Sequence, residues 1–436
     1  MVETPTVATT TVETTRTTRR DLVTFLVLFV VLCGVYGATV NQGPAQVNDT
    51  RAASIASWSL GTQGSAALPS TWPPNTTYWG VEGRDGAVFV NRFPGVAYWA
   101  APAYALADLV DGDPPPAHPY LVDLAPAALT AAVTAALAVA VVFLLLRTVA
   151  PWPAALGSTV VFAVGTSMWS VAADALWPHG PGVLALAGML LSWRRERPVL
   201  AAVCAAVAML VRPHLVVAVG IVALYAFWRE RRRDGVAMAL GAGVGLGLVA
   251  AYSYWAFGTP LPIAGYNAGS HLDGLVVNST WQTASQLGLA FGAPTRGLLT
   301  LSPVIVPALV AVVVFRRRVP GWTLAGVVAG LLYLFVQVRA VGHRGGNDFF
   351  AYRVSLEPLL FWLPALAVAA HEAIRRSRTF ATVLTLTAVV SVGIHWYGAV
   401  NGAFRDDVVE KWDRLDADVQ REFANRRLGD VDLRKN

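Results

Sequence analysis

The residues of this sequence best suited to chemistry stand where long apolar runs break into polar segments. Asp49 lies in VNDTRAASIASWSL, with Arg51 two positions on. A carboxylate there suits two roles. One is the cap of a helix start, where Asp is strongly preferred; the other is a general base that takes a proton from an attacking hydroxyl. The residue types leave both open. Arg92 sits in VNRFPGVAYWAAP, and Arg296 in APTRGLLTLSP, where Gly297 permits close approach. Arginine pairs bidentately with phosphate oxygens, and a helix N-terminus beside it adds to anion binding. An interfacial arginine reaching for lipid headgroups has the same signature. The densest polar segment, RAVGHRGGNDFFAYRVSLEP, gathers Arg339, His343, Arg344, Asn347, Asp348, Arg353 and Glu357 around a Gly-Gly turn. Arg92, Arg296, Arg344 and Arg353 make a cation set for a phosphate, with Arg51, His343, Asn347 and Asp348 in support. Glu357 opens an apolar run, and a charge in that position is costly enough to be read as functional.

What must position these residues is a set of membrane helices. The chain has 436 residues, of which 55% are hydrophobic and 14% charged, and its mean hydropathy is +0.51. Soluble domains carry about 25% charged residues, so this chain cannot clothe its surface against water. A net charge of +6 would suit nucleic acid. The arginines, however, fall in short clusters between apolar runs, which is the pattern of cytoplasmic loops. Nucleic acid is therefore not an expected partner; the bilayer is. Cys33 and Cys204 lie in separate apolar runs, which excludes a disulfide framework and a thiolate metal site.

Residues 1–20 are Thr-rich and without periodicity, so they read as a disordered cytoplasmic tail. Residues 22–40 form a first spanning run behind Arg16, Arg19 and Arg20, charges that hold the N-terminus inside. Residues 41–92 are a long first outer loop. In it Ala52, Ile55, Ala56 and Leu60 share a helical face, the pattern of a short interfacial helix. Further apolar runs cover 93–110, 121–146, 154–171, 182–193, 199–211, 215–228, 236–257, 297–315, 322–338, 356–370 and 380–396. The clusters at 194–197, 229–233, 316–318 and 375–378 mark cytoplasmic loops. The polar segments between them, with the tail 401–436, then face outside. Residues 21–400 are one transmembrane domain. Parity requires either that one run does not cross or that one further crossing exists, and 93–110, with Pro94 and Pro102, is the candidate for a partial crossing. The expectation is an all-α polytopic membrane protein of about 11 to 13 helices, odd in number.

No Walker loop, dinucleotide fingerprint or Gly-x-Ser-x-Gly elbow is present, and His371-Glu372 lacks the second histidine of a zinc-protease helix. The order of motifs resembles the GT-C class of membrane glycosyltransferases, with protein O-mannosyltransferases and lipid A aminoarabinose transferases as the nearest likeness. Those motifs are an acid ahead of an interfacial helix in the first outer loop, the Arg-Phe-Pro-Gly lead-in to the next run, PTRGLLTLSP and GGNDFFAYR. The resemblance implies a plasma-membrane enzyme that moves a sugar from a polyprenyl-phosphate carrier to an envelope glycan, lipid or protein outside. It also places the catalytic acid at Asp49. Where relatives often show two acids, Asn48 precedes Asp49 and the next acid is Glu82; divalent metal dependence is therefore in doubt, and no cofactor is expected. The competing readings are a transporter or flippase of lipid-linked saccharides, which would carry ionisable groups near mid-membrane, and a non-catalytic scaffold of the same fold.

Overall fold

The computed structural model describes residues 17–41, 48–72, 74, 79–112, 116, 118–265, 280–343 and 349–402. Most of the N-terminal tail and nearly all of the C-terminal one lie outside this set, as do Arg344, Asn347 and Asp348. In chain order the helices are α1 (Arg19–Thr39), α2 (Asn48–Gln63), α3 (Pro94–Ala97), α4 (Ala101–Asp111), α5 (Ala125–Leu146), α6 (Trp152–Val164), α7 (His179–Arg194) and α8 (Pro198–Val211). Then follow α9 (Val216–Arg229), α10 (Arg232–Phe257), α11 (Thr280–Gly292), α12 (Leu298–Leu301), α13 (Ile305–Phe315), α14 (Gly321–Val341), α15 (Leu356–Ile374) and α16 (Arg378–Tyr397). Between α2 and α3, strands β1 (Gly80–Glu82) and β2 (Val88–Val90) pair antiparallel, Gly80 opposite Val90.

Among the described residues five helices are long and apolar enough to cross a membrane: α1, α5, α10, α14 and α16 with its extension to Val400. Leu26 and Val30 of α1, Leu240 and Val244 of α10, and Leu386 and Val389 of α16 are all more than half exposed. Such apolar faces are tolerable where the surrounding solvent is lipid. α15 is the reverse case, buried at nearly every position and packed on α7, α13 and α14. α1 begins on a capping box, in which Thr18 and Asp21 satisfy each other's backbone N–H.

The two ends of the bundle differ in charge. At one end Arg147 pairs with Asp21 at 2.8 Å, Arg194 with Glu230 at 2.7 Å, Arg231 with Glu196 at 2.9 Å and Arg318 with Glu372 at 2.7 Å. The arginine clusters of the sequence all gather there. The opposite end carries a cap made of α2, the hairpin, α3 and α4.

Within the cap two expectations are revised in detail. The helix expected in the first loop forms as α2, but residues 50–59 are buried throughout rather than on one face. Its serines make this possible. The Ser54, Ser57 and Ser59 hydroxyls donate to the carbonyls of Thr50, Ala97 and Ala67, so the polar face packs on protein with its hydroxyls satisfied. The run 93–110 breaks into α3 and α4, with Pro94 and Pro102 each in a helix's first turn, where the missing N–H costs nothing. Both pieces pack on α2 and stay at the cap end. The described chain thus starts at the arginine end and finishes at the cap end, where Gly398 lies against the Phe350 ring.

Candidate active site

Asp49 stands in the first turn of α2, and the two arginines that meet it come from far along the chain. Oδ1 accepts from Nη2 of Arg92, and Oδ2 accepts from Nη1 of Arg353 at 2.7 Å. Both oxygens are therefore taken by guanidinium groups rather than by helix N–H groups, and the capping role is not what this side chain performs. Side-chain exposure is 7% for Arg92, 17% for Arg353 and 23% for Asp49, so the acid is the most accessible of the three. Burial acts to raise the Asp49 carboxyl, but the charges and hydrogen bonds of Arg92 and Arg353 outweigh it and hold the group down at about 2. Two guanidinium groups against one carboxylate leave the group with net positive charge, which complements a phosphate.

Each arginine is fixed by its own surroundings. Arg92 follows β2, donates to Asn91 Oδ1 at 2.7 Å and lies 3.8 Å over the Trp79 ring. Arg353 lies 4.6 Å over Trp177 and 5.0 Å over Phe349. These are cation–π placements, in which each guanidinium stacks on an aromatic face while its edge meets Asp49. Trp79 and Ala351 both have left-handed backbones, at φ 56° and 65°. Strain of this kind persists only where the surroundings over-determine it, and here it flanks the two arginines.

The other sequence candidates fall in different places. Arg296 is 3% exposed, and its guanidinium donates to the carbonyls of Phe349 and Ala351, the latter at 3.0 Å. Its place here is against the strained turn that presents Arg353. Tyr352 is held from the other side, its hydroxyl 2.7 Å from Ser302 Oγ, which His395 Nε2 meets at 2.9 Å. Arg51 is buried and lies 4.8 Å over Tyr120. His343 bonds Gln286 through Nδ1 at 2.5 Å. Among the described residues no group of three or more His, Cys, Asp or Glu could hold a metal ion.

A cavity of about 440 Å³ opens between α6, α13, α15 and α16, lined by Phe162, Val304, Ala308, Leu363, Ala367 and Val389 among others. Val304 follows Ser302, whose hydroxyl bonds Gly165 O at 2.9 Å as well as Tyr352. The lining runs from Thr166 and Val304 to Pro153, His371 and Ile374 toward the arginine end.

The bundle with its cap matches solved structures in overall fold. The Archaeoglobus fulgidus oligosaccharyltransferase, tethered to an acceptor peptide, superposes with a TM-score of 0.56 at 13% identity. The match covers 90% of this chain and 58% of that one. This chain has the GT-C membrane fold. AglB from the same organism, in complex with an inhibitory peptide and a dolichol-phosphate, matches at TM-score 0.53 and 12% identity, over 88% of this chain and 56% of the other. ArnT from Cupriavidus metallidurans bound to undecaprenyl phosphate matches at 0.46 and 13%, over 93% and 78%. No family model and no curated protein matches in sequence. The chain spans under three-fifths of the length of the archaeal enzymes.

In this GT-C bundle the helix ends beneath the cap hold a second polar group that sequence reading reached only through Glu357. Arg212 Nη1 donates to Glu357 Oε1 at 2.7 Å, and His179 Nδ1 is 2.9 Å from the same oxygen. Arg212 Nη2 donates to Gln337 Oε1 at 3.0 Å, and Gln337 in turn donates to Tyr333. His179 and Glu357 each open a helix, and Arg212 closes α8, so the cluster lies at helix ends and not midway along them. The signal for it was available in WPHGP and VRPHL, where polar residues interrupt apolar runs beside prolines. Pairing across 145 residues was not.

Proposed function

We propose that the chain is a glycosyltransferase that moves a sugar from a polyprenyl-phosphate donor to a cell-envelope acceptor at the outer face of the plasma membrane, inverting the anomeric carbon. The observation that carries this reading is the Asp49 carboxylate held between Arg92 and Arg353 at the end of the bundle opposite the arginine clusters. The positive-inside rule puts that end outside. The arginines meet the donor's phosphate, and the apolar cavity between α6, α13, α15 and α16 offers space for the isoprenoid chain. In the reaction Asp49 takes the proton of the acceptor hydroxyl while its oxygen forms the new bond to the anomeric carbon. The bond from that carbon to the phosphate oxygen breaks, and the electron pair leaves on polyprenyl phosphate. That leaving group is already a good anion, so one base suffices where glycosidases need two carboxylates.

The ionisable groups found inside the bundle cluster at helix ends beneath the cap, which favours surface chemistry over a mid-membrane transport path. The test is incubation of purified protein with a panel of radiolabelled polyprenyl-phosphate sugars and envelope acceptors. Transfer by wild type that falls about 10²- to 10⁴-fold in a folded Asp49→Asn variant is the expected outcome. Donor movement across vesicles without any transfer would replace the enzyme with a flippase. Near-normal transfer by Asp49→Asn would remove the base.

A further inference from the structure

We propose that Asp49 is the resident occupant of this chain's anion site, and that a lipid-linked phosphate binds by taking Arg92 and Arg353 away from it. The inference rests on the functional reading above and adds how its site is switched on. Both carboxylate oxygens are engaged, one by each arginine, so the acid spans the gap between two guanidinium groups as a bridging phosphate would. Each guanidinium is anchored on its far side, Arg92 by Asn91 and the Trp79 face, Arg353 by Trp177 and Phe349. The arginines are therefore placed independently of the acid, and the carboxylate is the more exposed partner at 23%. When an anion arrives, the piece able to move aside is Asp49.

Charge favours exchange over addition. With Asp49 in place the three groups carry one net positive charge. A phosphodiester brought against the same arginines would sit beside the carboxylate, and like charges at such range repel. On the helix of Asp49, Arg51 is turned over Tyr120, and Arg212 and His179 are committed to Glu357. Once the arginines pass to the phosphate, the carboxylate loses what held it near 2 and rises toward the ordinary range of about 4. A stronger base then stands beside the anomeric carbon only when donor is bound. Without donor the acid stays paired and is a poor proton acceptor, which restrains the site from activating water or acceptor alone.

The decisive measurement is binding of a polyprenyl monophosphate, which cannot react, to detergent-purified full-length protein. Removing a competing charge-assisted partner is worth about a tenfold to hundredfold change in affinity. Asp49→Asn should therefore bind the lipid phosphate at least about tenfold more tightly than wild type while losing transfer. Equal or weaker binding by Asp49→Asn, in a wild type that does transfer sugar, overturns the exchange and leaves the enzyme reading intact. Absence of both binding and transfer in wild type overturns both. A second readout needs no variant. The acidic limb of kcat, which reports the donor complex, should lie at higher pH than that of kcat/KM, which reports the free enzyme. Coincident limbs overturn the proposal.

Discussion

At the scale of single residues the site is an ion triplet whose members do different work. Arg92 and Arg353 both touch Asp49, but Arg353 also rests on two aromatic faces. Its replacement by Ala removes a charge-assisted bond to donor worth about 1.5–3 kcal/mol. The apparent KM for lipid donor should rise about tenfold or more, and Arg353→Lys should recover little because a lysine cannot form the fork. An unchanged KM in Arg92→Ala and Arg353→Ala would leave both as structural partners of Asp49 alone. The triplet also carries a stability signature. The Asp49 carboxyl is depressed from 3.8 to about 2 on folding, so its ionised form stabilises the fold fully above the unfolded value. That contribution is lost as pH falls through the folded one. Thermal melting of wild type should therefore weaken between about pH 4 and pH 2, and the Asp49→Asn curve should be flatter over that window. Parallel curves would mean that the pair contributes nothing to stability.

At the scale of elements, close packing rests on where glycines fall. α10 carries Gly241 and Gly245 against α8, and a Cβ on Gly241 would collide with the Ala202 carbonyl. Gly243 and Gly247, on the same helix, meet nothing within 4 Å. Gly241→Ala should accordingly destabilise by about 1–3 kcal/mol through overpacking. Gly243→Ala should be neutral or gain about 0.5–1 kcal/mol from helix propensity. Melting in detergent distinguishes them, and an equal loss for both would refute the close approach of α8 and α10. The same logic of approach governs the turn before α15. Its left-handed Ala351 is held by Arg296 through two carbonyls, so an arginine that reads as a ligand in sequence is a brace in space.

At the scale of the whole molecule, the separation of arginine clusters from the capped end predicts, by the positive-inside rule, that the cap faces outside. Asp85, at the exposed tip of the hairpin, and Arg317, in the exposed arginine turn, should label from opposite sides with a membrane-impermeant thiol reagent once each is replaced by Cys in a background without Cys33 and Cys204. Labelling of both from one side would break the assigned topology.

Composition and apolar spacing by themselves determined that the chain is an all-helical membrane protein, because burying apolar surface in lipid and satisfying the backbone internally leaves few other solutions. They also singled out Asp49, Arg92 and Arg353 as polar residues where apolar runs break, with a cap reading of the acid and a headgroup reading of Arg92 left open. Local spacing could not tell that 93–110 folds into the cap, because apolar length is the same signal for a span and for two short helices packed on a neighbour. Nor could it separate Arg353, which reaches the acid, from Arg296, which reaches carbonyls, or pair Arg212 with Glu357. Those outcomes depend on which helix ends meet in three dimensions. The acid and its arginines lie 43 and 304 residues apart in the chain, and only the packing of α15 beneath the cap closes that distance.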